Sequence, residues 1–332
     1  MDAAKGKFGI EDVGVWLQPT GSVLEIAELA QQCDDYGFGF LGMTDGQMIW
    51  RDVYVALSVA ATRTKRIQLA PWVTNIITRH PTVTANAIST LQELSGGRVF
   101  LGIGIGDDSV RTIGRKTSTL DELAEAVTLI YDLTSGREVS RDQGNWTLAS
   151  AQGRIKIYWA AANPRSLQYG GRYTDGVIAS AWLVPDLLDR IRNYILEGAG
   201  SGGKDSTKTD TIFNTGLSIS EDRHEALHAA KPYVARALCY SSSTWLPNWS
   251  VDDMKNFRAK YDYYHHFRPD QELATLVPDS MVPLKAVAGT PSECVELLKM
   301  VVKAGFTKMS LIPMGDVKSV IRLLATQVLP KL

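Results

Sequence analysis

The chain has 332 residues, 45% hydrophobic and 21% charged, with a formal net charge of -1 and no basic block, which argues against a nucleic-acid or anionic-membrane surface. Cys33, Cys239 and Cys294 are far apart and form no C-x-x-C pair, so neither a zinc site nor a disulfide framework is indicated, and each is expected to pack as a small hydrophobe. Met1 to Gly9 lacks an apolar signal region, and no apolar run approaches the roughly 20 residues of a membrane helix, so a soluble cytoplasmic protein is expected.

Strands and helices alternate along the chain. Phe8 to Leu17 contains an apolar strand, and Ser22-Val-Leu-Glu25 is a capping box opening a helix toward Tyr36. Phe38 to Thr44 reads as the second strand, Asp52 to Thr62 has helical spacing, and Ile67 to Val73 is the third strand. Pro81 suits the first turn of a helix that stops at Gly96-Gly97, and His80 reads as its structural lead-in. Val99 to Ile105 is the fourth strand.

The second half is looser. Thr119-Leu-Asp-Glu122 caps a helix toward Tyr131, and Gly136 to Gly153 is a polar excursion. Ile155 to Ala160 is the fifth strand, followed by Asn163-Pro164 as N-cap and first helical residue. Gly176 to Ser180 is the sixth strand, Pro185 to Leu196 a helix, and Gly198 to Ser206 a mobile connection. Thr211 to Ser218 is the seventh strand, with a helix from Asp222. Thr290-Pro-Ser-Glu293 caps a helix before the eighth strand, Phe306 to Ile312, and Val317 to Val328 is the final helix. Eight such units favour a single closed (β/α)8 TIM barrel, with residues 240–279 an insertion before the last unit, rich in aromatics and read as a lid or substrate segment.

In such a barrel the chemistry sits at the C-terminal ends of the strands. Those positions hold Asp45, Trp72-Val73-Thr74-Asn75, Gly104-Ile-Gly-Asp107, Ala161-Ala162-Asn163 and Ser180 to Trp182. Small residues and two carboxylates, without a nucleophile–base pair or a metal cluster, point to a site that holds a flat cofactor. Gly102, Gly104 and Gly106 are spaced G-x-G-x-G and do not make a dinucleotide fingerprint; alternating glycines fit a tight barrel strand beside a ring.

The stretches Arg51-Asp-Val-Tyr-Val, Ala70-Pro-Trp-Val-Thr-Asn, Thr78-Arg-His-Pro, Thr90-Leu-Gln-Glu-Leu-Ser-Gly-Gly-Arg and Leu101-Gly-Ile-Gly-Ile-Gly-Asp resemble, in order and spacing, the bacterial luciferase-like superfamily. The methylenetetrahydromethanopterin reductase branch is the most similar. Weaker likeness continues through Tyr158-Trp-Ala-Ala-Ala-Asn-Pro-Arg-Ser, Thr174-Asp-Gly-Val-Ile and Ala288-Gly-Thr-Pro.

The resemblance implies an oxidoreductase using the 8-hydroxy-5-deazaflavin coenzyme F-420 for hydride transfer with a small organic substrate. An FMN-dependent monooxygenase, served by a separate flavin reductase, and a non-catalytic flavin-binding protein stay open. It implies a homodimer or higher homo-oligomer, and a non-proline cis peptide at Trp72-Val73 behind the ring. Cofactor contacts fall on Trp72, Val73, Thr74, Gly106, Asp107, Ser180 and Trp182, with the phosphate over Ala161, Ala162, Asn163 and Ser166. Asp45 matches an acidic catalytic position, although it could instead cap the following turn; Gly46 stands where relatives commonly have His. His265 or His266 is a candidate replacement for that His, and Trp16, Trp50 and Tyr261 are candidate substrate contacts. Phe257, Tyr261 and Tyr264 equally fit one packed helix face. No metal is expected.

Overall fold

The computed structural model describes residues 8–141, 144–240, 251–260 and 272–332. Eight parallel strands form the wall: β1 (Val13–Leu17), β2 (Phe40–Met43), β3 (Gln68–Pro71), β4 (Leu101–Gly104), β5 (Ile157–Ala161), β6 (Gly176–Ser180), β7 (Asp210–Ile219) and β8 (Lys308–Pro313). They are ordered β3-β2-β1-β8-β7-β6-β5-β4. A parallel bridge from Leu69 to Val99 brings the two ends together, and Thr74–Asn75, beyond a bulge, pairs with Ile103 and Gly104. The (β/α)8 expectation holds. A further short strand, Val287–Gly289, joins the upper part of β7 where β6 has ended.

The helices form where their caps dictate. α1 (Val23–Tyr36), α4 (Leu120–Thr134) and α8 (Pro291–Lys303) each start at the expected capping box, on Ser22, Thr119 and Thr290. Between these lie α2 (Val53–Arg63), capped by Asp52, and α3 (Pro81–Ser95), capped by the His80 side chain and closed by left-handed Gly96. α5 (Pro164–Tyr173) starts at Asn163. α6 (Pro185–Ser201) and α7 (Arg223–Tyr240) follow, and α9 (Val317–Leu323) runs into a π turn to Val328. The polar excursion is a small antiparallel hairpin, Val139–Arg141 with Gly144–Trp146.

One expectation is corrected. The glycine-rich stretch after Leu196 does not begin a mobile connection, because α6 continues through Gly198 to Ser201. Gly198 is packed so closely on Gln168 of α5 that a Cβ would collide with the Gln168 carbonyl, and Gly171 of α5 meets the Ile195 carbonyl in the same way. The glycines let two helix backbones touch.

Arg98, in the Gly-Gly-Arg motif, also proves structural. Its guanidinium donates to the carbonyls of Ala61, Thr64, Ile67 and Ser95, tying the end of α2 to β3. The three cysteines are buried and free. No described helix is long and apolar enough to cross a membrane, and no described group of residues could hold a metal ion.

There are two apolar layers. The larger lies between strands and helices, and the smaller fills the barrel itself with Phe40, Ala70, Trp72, Phe100, Tyr158, Ile178 and Ile212. Trp72 is central, with ring centroids 5.4 Å from Phe40, 5.4 Å from Phe100 and 6.2 Å from Tyr158. The strands give way to these rings. A Cβ on Gly42 would lie 2.5 Å from that of Trp72, one on Gly102 would lie 2.9 Å from the indole, and one on Gly14 would collide with Phe40. Below the rings, Tyr158 Oη donates to Asp210 (2.7 Å), which also pairs with Lys308 (2.7 Å).

Candidate functional site

Strand alternation decides what the mouth contains. Residues paired across parallel strands share a face, so the interior positions above the aromatic layer are Trp16, Gly42, Gly104, Ala160, Ser180, Asn214 and Ser310. Most are small. A Cβ on Gly104 would make only ordinary contact with Ala160 and Val73, at 3.5 and 3.6 Å. The Trp72-Val73 peptide is cis, as expected from the resemblance. The Trp72 ring lies in the inner aromatic layer of the barrel, and half-buried Val73 lies against Gly102 and Gly104.

The ring of Trp72 is fully buried in the inner aromatic layer and forms the floor under the mouth. Thr74 is also fully buried and donates to Asp45 Oδ2 at 2.7 Å. Asp45 itself is 8% exposed, with Arg79 Nε 3.7 Å from the same oxygen; no described residue donates to Oδ1. Burial raises the Asp45 pKa, offset only in part by the Thr74 hydrogen bond and the Arg79 charge. Arg79 also pairs with Asp52 (2.6 Å) and lies over the Tyr54 ring, so the carboxylate is held from the helix side of the wall.

Gly46, where relatives commonly carry His, faces Trp50: a Cβ there would lie 2.8 Å from the Trp50 ring. Trp50 is buried by that packing, while half-buried Trp16 donates to Thr44 at 2.6 Å. His265, His266 and Tyr261 lie outside the described residues, as does Tyr264. Phe257 is buried in the outer apolar layer.

Gly106 adopts a left-handed turn (φ 91°) that delivers Asp107. The two oxygens of Asp107 are held by Arg111 (2.9 Å) and Arg236 (2.8 Å). Beside it, burial raises the Asp108 pKa to about 6, against the pull of Arg236. At the start of α5, Ala162 and Asn163 are exposed and Ala161 half-buried. Asn163 Oδ1 accepts the Ser166 N–H (3.0 Å), whereas the Ser166 hydroxyl is turned inward to accept the Trp159 indole N–H. Ala162 and Asn163 thus form the open part of that turn.

Ser180 and Trp182 meet a residue absent from the sequence reading. Lys285 is 4% exposed and donates to Ser180 Oγ (2.9 Å) and the Ala181 carbonyl (2.8 Å), with the Trp182 and Tyr233 rings 6.0 and 5.7 Å away. Burial, then the nearby Arg236 charge, lowers its pKa to about 7. A cation standing alone in the apolar run from Met281 to Ala288 was the available signal.

These residues fit a flat, heteroatom-bearing ring. Small side chains leave room above an aromatic floor, Asn214 Oδ1 and Ser310 Oγ are buried and lack a partner among the described residues, and the open helix start suits an anion. The chain matches the luciferase-like monooxygenase family over residues 8–308 and belongs to that family. It is an oxidoreductase.

It is 32% identical to a 5,10-methylenetetrahydromethanopterin reductase of Archaeoglobus fulgidus, over 98% of this chain and 99% of the relative. It is 30% identical to the enzyme of that name from Methanolobus tindarius, over 91% and 92%. Among solved structures, the coenzyme F-420 dependent tetrahydromethanopterin reductase from Methanopyrus kandleri superposes with a TM-score of 0.82 at 25% identity, covering 96% of this chain and 98% of that one.

Proposed function

We propose that this chain transfers a hydride between coenzyme F-420, held in the C-terminal mouth of the barrel, and a small organic substrate. The observation carrying this reading is the end-to-end similarity to archaeal reductases, one of them F-420-dependent by name, together with a mouth of matching character. The methylene-bearing pterin named for those relatives is the first substrate to test.

When bound, the deazaflavin supplies a carrier of two electrons and a proton as hydride. The chain would do the rest. Val73 and the bulge around it would back the ring, and Gly104 and Ala160 would leave its space. The turn from Ala161 to Asn163 would hold the phosphate through helix N–H groups. Asp45, poised by burial, would hold or release a proton through its unshared Oδ1. The aromatic floor would keep water from entering beneath the ring.

The deciding measurement is thermal stability with each cofactor. A ligand at about a hundredfold its Kd adds about 2.7 kcal/mol to folding stability. Coenzyme F-420 should raise Tm and FMN should not. A rise with FMN alone would replace this reading with the monooxygenase.

A further inference from the structure

Lys285 is a buried cation with no carboxylate ion pair among the described residues. It lies just before the short strand Val287–Gly289, in the gap that opens between β6 and β7, and its own carbonyl is held by Thr215 (2.7 Å). Enclosing a charge this way is costly unless it serves a partner. The partner on the mouth side is Ser180, a half-buried residue at an interior position of β6.

An ammonium can only donate. Ser180 Oγ accepts from Nζ at 2.9 Å, and its own proton must go elsewhere. We propose that Lys285 is a positioning residue: by donating to Ser180 it aims the Ser180 hydroxyl proton into the mouth, as a donor to a carbonyl or anionic oxygen of the bound cofactor. This rests on the reading that a flavin-type cofactor occupies the mouth.

The surroundings make the arrangement responsive to pH. Among the described residues, the groups facing Lys285 are Tyr233 and Arg236 from α7, and Ser180, the Ala181 carbonyl and Trp182 from the end of β6. Arg236 in turn meets Asp107 and Asp108. With its pKa lowered to about 7, Lys285 loses its proton near neutrality. As a neutral amine it can accept from Ser180, and the hydroxyl proton then turns away from the mouth.

The test is a titration with oxidised coenzyme F-420 and, separately, with FMN, from pH 6 to 9, on the wild type, Ser180→Ala, Lys285→Met and the double variant. Whichever cofactor binds serves as the probe. Binding of FMN alone counts against the proposed function and leaves the test of Lys285 intact. Wild-type affinity should fall as pH rises through about 7, and Ser180→Ala should bind about tenfold more weakly with that dependence gone. The double variant should be no weaker than either single one.

If Lys285→Met does not fold, Ser180→Ala alone decides through its pH profile. A Ser180→Ala profile parallel to the wild type, or additive losses in the double variant, overturns the proposal. Tyr233→Phe is the control, because the Tyr233 hydroxyl also lies near Ser180. If it reproduces Ser180→Ala, the donor is aimed at Tyr233 and the proposal fails. Binding of neither cofactor overturns both readings.

Discussion

At the scale of single residues, two titrating groups carry opposite expectations. Asp45→Asn keeps the shape and the Thr74 contact while removing the proton-holding carboxyl. It should lower kcat by about 10²–10⁴-fold and leave cofactor affinity within a few-fold; an unchanged kcat would make Asp45 purely structural. Lys285 should write its burial into the pH dependence of stability. Its folded pKa is lowered from the ordinary 10.5 to about 7, so between those values the unfolded chain binds the extra proton. Stability from this group therefore rises with pH across that window, and the full penalty applies below about 7. Wild-type Tm should climb relative to Lys285→Met between about pH 7 and 10, whereas parallel curves would show an unperturbed lysine. Asp45 was legible because it follows a strand directly. Lys285 was not, because its burial comes from Ser180 and Ala181, more than a hundred residues earlier.

At the scale of elements, local chemistry was a reliable guide wherever a cap fixed a boundary. Ser22, Thr119, Thr290 and the Asn163-Pro164 pair all start helices where expected. Glycine was the poor guide, since a glycine that breaks a helix and one that lets another helix approach look alike in sequence. Gly198 and Gly200 of α6 separate the two roles. Gly198→Ala should destabilise by about 1–3 kcal/mol, because the methyl meets the Gln168 carbonyl. Gly200→Ala has open space and should be neutral or stabilise by up to about 1 kcal/mol. Chemical denaturation of the pair checks both, and equal effects would refute the close-packing account. Gly46 belongs with Gly198: the packing of Trp50, rather than any turn, leaves no room for a side chain after Asp45.

At the scale of the whole molecule, the alternation of strands and helices was enough to give the closed barrel. What fills it was not legible. The glycines of β4 read as making room for a cofactor, yet Gly102 makes room for Trp72, and only Gly104 opens toward the mouth. Seeing this requires the register between strands, which a single chain does not display. Trp72→Ala should cost about 3–5 kcal/mol in denaturant unfolding through the cavity it leaves; a loss below about 1 kcal/mol would mean that the interior collapses around the gap.

The packed rings also make the barrel a stoppered tube. Tyr158, Asp210 and Lys308 hold their hydrogen bonds on one side of the stopper, while Asp45, Ser180 and Lys285 hold theirs on the other. The rings pack against one another between them, so a proton used at the mouth is expected to be delivered and withdrawn at the mouth. The two ends are then free to be tuned separately: changes around Lys308 should be felt by the thermometer and not by the substrate.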